Sequence, residues 1–364
     1  MTKILAAMSG GVDSTSAVLL LQKQGYQVEG ATYLLTPDMK AQSERAAQVC
    51  AKIGIRHHEI DLIKLFEEKV RKYFARTYLD GKTPNPCVVC NREIKFKAFL
   101  DYATENGFDK IATGHYCAIN EDGNGVHLLT GKEGKDQTYF LSMVDRNALS
   151  RVVFPIGDMD KNEVRRVVFD VDEAASKLKD SVDICFVPNG DYVSEVLSHA
   201  NPEESEKAKA EGNFVILKDK SVPGKHKGYI NYTIGQRRGL GVAYTEPLYV
   251  VGTNPQTSEV YLGCEGDIYS NTVSCGNINI INEYSFNEAI KQGNLSARVR
   301  FSKALTPVKA ISGFEGPVQV VFTDKVRAAA PGQTIAFYRD NECVGGAEII
   351  GNDFDRINPI CDNN

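Results

Sequence analysis

Apolar residues open the chain as a run, Ile4-Leu5-Ala6-Ala7-Met8, and then recur at helical spacing, with Ala17, Val18, Leu20 and Leu21 on one face of residues 15–24. The run predicts a buried strand and the spaced residues an amphipathic helix. Residues 27–33 and 57–62 read as further strands, 43–53, 65–77 and 96–106 as helices, and 110–113 as another short strand. Strands separated by helices predict a parallel sheet covered on both faces. Ligands in such sheets collect beyond the carboxyl ends of the strands. The loop after Met8, the segment after Tyr33 and Gly114-His115 all fall at such ends. Residues 116–132 contain Asp122-Gly123 and predict a hairpin inserted into the pattern. Residues 135–143 and 161–169 predict helices, the second capped by Asp158 or Asp160. Glu, Lys and Ala dominate 201–212, an exposed helix or linker. Beyond it the pattern turns to short β runs, rich in glycine, tyrosine and valine over 214–262 and continuing through 295–301, 317–322 and 334–338. The expected organisation is an α/β domain over 1–200, a small β-rich domain over 201–266 and a C-terminal β-barrel over 267–364.

Length and composition fit this division. A chain of 364 residues exceeds what one small core serves. Its 42% hydrophobic and 24% charged residues are ordinary for a globular protein. No run approaches a membrane span and the N-terminal layout is not that of a secretion signal, so the expected compartment is the cytoplasm. The nine cysteines are an odd number scattered over a long chain, which points to thiol chemistry or metal binding rather than a disulfide framework. Net charge is −5, but local patches decide nucleic-acid binding. Residues 69–97 carry eight Lys/Arg against two acids, and 218–238 carry six against one. Such stretches beside chemical motifs favour a polyanionic partner over a merely solvated face.

Ser9-Gly10-Gly11-Val12-Asp13-Ser14 joins the first strand to the first helix. Two glycines flanked by serines let backbone N–H groups curl around a phosphate, helped by the helix N-terminus. No lysine closes the loop, so it is not a Walker A sequence. Asp13 instead stands inside it, where a Mg²⁺ counter-ion would account for the acid. The second signal is Thr83-Pro84-Asn85-Pro86-Cys87-Val88-Val89-Cys90-Asn91, followed by the basic segment Arg92-Glu93-Ile94-Lys95-Phe96-Lys97. A thiol at a helix N-terminus among cations is expected to have a lowered pKa. Asp180-Ser181-Val182-Asp183-Ile184-Cys185-Phe186 offers a third thiol, and two thiols that meet can pass a sulfur atom through a persulfide and a disulfide. Half a structural zinc site is the alternative for Cys87-x-x-Cys90, but no second C-x-x-C exists to complete it. Cys50, Cys117, Cys264, Cys275, Cys343 and Cys361 read as small buried hydrophobes.

S-G-G-x-D-S is the signature of the PP-loop ATP pyrophosphatases, and the chain as a whole resembles one family among them, the tRNA-specific 2-thiouridylases of the MnmA type. The resemblance rests on M-S-G-G-V-D-S at 8–14, T-P-N-P-x-x-x-C-N at 83–91, A-T-G-H-Y at 112–116, K-D-Q-T-Y-F-L at 135–141 and D-I-C-F at 183–186. Y-T-I-G-Q-R-R-G-L-G at 232–241, R-V-R-F at 298–301 and A-A-P-G-Q at 329–333 complete it. It implies an α/β fold with a Rossmann-like PP-loop domain, a small β-rich central domain and a C-terminal β-barrel that contacts tRNA. It also implies a reaction. The C2 oxygen of the anticodon wobble uridine attacks the α-phosphorus of ATP, Cys185 carries sulfur as a persulfide, and Cys90 is the partner nucleophile that ends in a transient disulfide.

By position, the resemblance gives Ala7, Met8, Ser9, Gly10, Gly11, Val12, Asp13, Ser14 and Gly114 to ATP. Tyr33 stands near the adenine where the family is expected to have methionine. Asn85, Pro86 and Cys87 would line the target base, and His115, Lys135, Asp136, Gln137, Arg300, Phe301 and Gln333 would contact tRNA. The implied partners are ATP with Mg²⁺, tRNA with Lys, Glu and Gln acceptors, and a persulfide-bearing sulfur-relay protein, serving a monomeric enzyme. One departure opens a second route: many members have Asp where this chain has Cys87. Cys87, Cys90 and Cys185 would then be three ligands of a [4Fe-4S] cluster that receives the sulfur. A PP-loop amidating synthetase and a non-catalytic RNA-binding protein remain as other classes, and neither needs the thiols.

Overall fold

The computed structural model describes residues 1–132, 135–169, 171, 184–302 and 304–353. Asp180 to Asp183 of the third thiol motif, Cys361 and the last residues of the expected barrel domain lie outside them. The first sheet has five parallel strands in the order β3, β2, β1, β4 and Val152–Val153. Here β1 is Lys3–Ala7, β2 Gln27–Leu34, β3 His57–Asp61 and β4 Lys110–Ala112. The middle strand β1 buries Ile4, Leu5 and Ala6 on both faces, which is why its sequence is a run and not an alternation. Strand order reverses at β1, with β2 on one side and β4 on the other, so the loops after β1 and β4 part and leave a crevice.

Helix α1, Val12–Lys23, leaves β1 through the glycine loop and starts three residues before the expected position. Helical structure also runs over 86–105, where the sequence reading begins a helix at 96. It comprises Pro86–Cys90, a wide-turn stretch Asn91–Ala98 and Phe99–Glu105. The basic cluster masks the true start. Pro86 supplies a ready-set φ in the first turn, and Val88, Val89, Ile94, Phe96 and Phe99 form the buried stripe.

A second sheet of four strands runs Tyr249–Asn254, Glu259–Gly263, Gly212–Ile216 and Gly224–His226. It is reached through helix Pro202–Lys209, whose Asn201 and Glu204 form a reciprocal capping box. In the third sheet six strands close on themselves, because Tyr269–Ile280 and Glu342–Asn352 pair with each other. The hairpin Cys117–Asp122 and Gly125–Thr130 forms as expected, but it is not an appendage of the parallel sheet. It adds to the barrel strand Glu342–Asn352 through Glu342 opposite Leu129 and Cys343 opposite Leu128. Leu128, Cys343, Tyr338 and Ile111 thereby share one buried cluster. Asp136 and Arg298, both nearly buried, pair at 2.7 Å across the same junction, with the guanidinium over the Tyr338 ring. Among the described residues no helix is long and apolar enough to cross a membrane.

Candidate active site

The glycine loop is closed by its own serines. Ser14 Oγ lies 3.2 Å from Ser9 Oγ, accepts from the Ser9 N–H at 3.2 Å and donates to the Gly11 carbonyl at 3.1 Å. Gly10 holds φ +71°, and a Cβ there would press within 3.2 Å of the Ala46 backbone, so both conformation and space call for glycine. Gly11 caps α1 without a side-chain bond, which leaves the first-turn N–H groups without a capping side chain, as an anion there would need; Gly10, Gly11 and Val12 are not among the cavity-lining residues. Gly114, at the end of β4, packs against this turn: a Cβ there would lie 3.0 Å from the Asp13 carbonyl carbon. Loop and strand end line one cavity of about 240 Å³ with Ala7, Met8, Ser9, Asp13, Ser14, Tyr33, Gly114, His115 and Gln137. Sequence reading missed Thr32, Met39, Gln42, Lys95 and Thr113 on its wall. Tyr33 is half-buried and meets Phe99 edge-on at 5.6 Å, so its ring belongs partly to the core.

Asp13 has a protein partner. Lys161 Nζ lies 2.9 Å from its Oδ1, and the Tyr116 hydroxyl donates to the same atom at 2.7 Å. A bound magnesium is therefore not required to account for this carboxylate. Lys161 was missed because it reads as the first residue of an ordinary surface helix. The usable signal was topological, since that helix follows the edge strand Val152–Val153 at its carboxyl end.

The thiols depart from expectation. Cys90 sits inside the helical run, buried, and not ahead of it. Burial pushes its thiol up to about 12 against the pull of Lys95, which overturns the lowered pKa expected at a helix start. Cys87 is exposed one turn earlier, and burial of its sulfur also outweighs Lys95. Cys185 is exposed and close enough to feel the charge of Lys95 and Cys87. Phe186 fixes it by packing edge-on against Phe66 at 5.4 Å and Phe74 at 5.2 Å, inside the helical run 63–79. Cys87, Cys90 and Cys185 all lie within reach of the Lys95 charge. Among the described residues, however, no three His, Cys, Asp or Glu side chains gather as a metal-holding group. With an ammonium beside the three thiols as well, the donor set does not fit an iron–sulfur cluster, and no step is routed through one. Cys50, Cys117, Cys275 and Cys343 are buried as expected, whereas Cys264 is only half-buried.

Residues assigned to target base and tRNA divide into two groups. Lys135 and Arg300 are exposed, and Phe301 is 58% exposed with its ring 4.6 Å from that of Phe140, which suits contact with a base. Apart from the exposed Cys87, the others are turned toward the protein. Asp136 accepts from Thr138 and pairs with Arg298. Gln137 accepts the Tyr116 N–H at 2.9 Å. Gln333 donates to the carbonyls of Thr83 and Pro84, and buried Asn85 donates to Tyr139, so both brace the segment that presents Pro86 and Cys87. His115 meets Thr113 Oγ1 at 2.8 Å through Nδ1, and burial together with Lys95 holds its pKa well below the usual imidazole value. In the basic stretch 69–97, Lys69, Arg71, Arg76, Arg92 and Lys97 face carboxylates of the chain itself. In 218–238, Lys227, Arg237 and Arg238 are exposed with no side-chain partner among the described residues.

Residues 2–189 match a family model described as a tRNA methyl transferase HUP domain, 204–264 its PRC-barrel domain and 276–349 an aminomethyltransferase beta-barrel domain. The tRNA-specific 2-thiouridylase MnmA 1 of Clostridium botulinum (strain Okra / Type B1) is 39% identical over 95% of this chain and 98% of its own. The tRNA-specific 2-thiouridylase MnmA of Halothermothrix orenii is 38% identical over 97% of this chain and 100% of its own. A solved 4-thiouridine synthetase–RNA complex with bound ATP is similar over 57% of this chain and 53% of that one, at 18% identity and a TM-score of 0.34. With a glycine loop built for phosphate, thiols beside it and near-complete overlap with these relatives, the chain belongs to the tRNA-specific 2-thiouridylases of the MnmA type.

Proposed function

We propose that this chain carries out ATP-dependent 2-thiolation of the wobble uridine in the tRNA anticodon, with Cys185 carrying the sulfur and Cys90 resolving it. The observation that carries the residue-level reading is the grouping of Cys87, Cys90 and Cys185 around Lys95, which itself lines the cavity beside the glycine loop. The loop N–H groups and the start of α1 hold the ATP phosphates. Uridine O2 attacks the α-phosphorus, the bond to the β-phosphate oxygen breaks, and pyrophosphate leaves. The uridine C2–O bond, inert in water, now ends in a good leaving group. The terminal sulfur of a Cys185 persulfide attacks C2, and AMP departs with the original oxygen. The Cys90 thiolate attacks the inner sulfur of that adduct, releasing 2-thiouridine and leaving a Cys90–Cys185 disulfide. Two electrons have passed from the two cysteines to the transferred sulfur, and a dithiol reductant restores them.

Neutral His115 and the Gln333-braced segment 83–87 shape the place for the base, which a single-stranded loop can turn out of its stack at low cost. Exposed Cys185 is open to a persulfide-carrying donor protein. Residues 1–200 do the chemistry, while 201–266 and 267–364 hold a lysine, glutamate or glutamine tRNA against one monomer. The test is a reconstituted reaction followed for both pyrophosphate and 2-thiouridine. Cys90→Ser and Cys185→Ser should each lose 2-thiouridine while still releasing pyrophosphate in the presence of tRNA. Undiminished 2-thiouridine in either variant would overturn the thiol roles.

A further inference from the structure

Lys95 is a half-buried cation with no ion pair among the described residues. Its neighbours in sequence do not share this. Arg92 meets Glu93 at 2.7 Å, and Lys97 meets the other oxygen of the same carboxylate at 3.6 Å. Removing an ammonium from water without a carboxylate to face it is costly, so the site itself must supply its negative charge.

The backbone explains how Lys95 reaches that site. Asn91–Ala98 is a wide-turn helix, closing on the fifth residue where an ordinary helix closes on the fourth. In an ordinary helix Cys90 and Lys95 would point about 140° apart. The wider turn brings them toward one face, and such turns concentrate at functional sites. The same turn sends Lys95 to the wall of the nucleotide cavity, among Ser9, Ser14, Gly114 and His115. Lys95 therefore stands where the phosphate end of the site meets the thiol end.

We infer that Lys95 is the fixed counter-charge of the sulfur-transfer centre, placed at the wall of the nucleotide cavity to favour the anionic, nucleophilic form of Cys90 and Cys185 over what burial alone would allow. This rests on the reading of those two thiols as the sulfur-handling pair. The electrostatics run both ways. Burial lowers the Lys95 pKa, yet the surrounding Tyr33 and three cysteines raise it overall, so the amine stays charged. Lys95 is in turn the cation that pulls down Cys87, Cys90 and Cys185 against burial. Free of tRNA the burial wins at Cys90. Lys95 sets how far the thiol lies from the reactive state, and it acts through the cysteines as a positioning charge.

The experiment is alkylation of the reduced, full-length protein with iodoacetamide across a pH series, with Cys90 and Cys185 followed separately by peptide mass spectrometry. In Lys95→Met the rate at Cys90 should fall about tenfold at a given pH, the equivalent of one pKa unit, and the profile should move to higher pH. Lys95→Arg should restore it. An unchanged profile in a folded Lys95→Met or Lys95→Gln protein overturns the inference. If neither variant folds, the reciprocal measurement decides. Cys90→Ser should make the Lys95 amine react faster with acetic anhydride, and an unchanged rate overturns the inference equally. Neither readout needs tRNA or sulfur transfer. A failure here is thus distinct from a failure of the thiol roles, which the 2-thiouridine assay of Cys90→Ser and Cys185→Ser reports.

Discussion

Lys161 and Asp13 form a two-point contact, with Nζ 2.9 Å from one carboxylate oxygen and 3.0 Å from the other, although 148 residues separate them. The pair puts an acid inside a phosphate-binding loop and cancels its charge from the helix that follows the edge strand Val152–Val153. Without Lys161, the Asp13 carboxylate would repel the phosphates of ATP. Lys161→Met is expected to raise the KM for ATP about tenfold, the effect of about 1.4 kcal/mol, with the fold retained because the pair is partly solvated. Asp13→Asn in the same protein should recover part of the loss. Steady-state pyrophosphate release against ATP concentration checks this, and an unchanged KM in Lys161→Met would contradict it.

Binding of tRNA is expected to draw on the exposed cations of the central sheet region more than on the first basic stretch. Lys69, Arg71, Arg76, Arg92 and Lys97 spend their charge on carboxylates of the chain, whereas Arg237 and Arg238 do not. Arg237→Ala with Arg238→Ala should weaken binding and flatten the plot of log Kd against log salt by about 1 to 2, one released counter-ion per lost phosphate contact. Filter binding over a salt series measures that slope. Equal slopes for the two proteins would place the phosphate contacts elsewhere.

His127 ties the hairpin to the barrel, with Nδ1 2.9 Å from Glu342 and Nε2 3.0 Å from Asp122. Burial lowers its pKa, but the two carboxylates prevail and the net shift is upward from 6.5. A raised folded-state pKa stabilises the fold fully below the unfolded value, and that stability is lost as pH rises through the folded value. Half-buried His115 has the opposite sign, its lowered pKa costing stability as pH falls. The clean readout is therefore a difference. From pH 6 to pH 8 wild type should lose stability relative to His127→Gln in urea unfolding, and parallel curves would refute the assignment.

The parallel sheet was legible because a central strand must be apolar on both faces, as Ile4 to Met8 are. The loop was legible because few sequences can wrap a phosphate. What escaped was set by contacts remote in sequence. The hairpin at 117–130 carries every local hairpin signal, yet its partner strand lies more than 200 residues away, and nothing local names it. The helix start at Pro86 was hidden because the basic cluster at 92–97 masks it, although Cys87 and Cys90 fill a helical turn. Gln333 and Asp136 stand in motifs, but their side chains face carbonyls and an arginine of the protein. A motif marks a position, and only the packing says which way the side chain turns.

In the proposed reaction ATP activates the uridine C2 oxygen for displacement by sulfur. This activation is tested most directly with tRNA carrying ¹⁸O at C2 of the wobble uridine, incubated with the enzyme, ATP and a persulfide donor. AMP recovered with each 2-thiouridine is expected to carry the label, because the oxygen leaves bonded to the α-phosphorus. Unlabelled AMP alongside newly formed 2-thiouridine would contradict it.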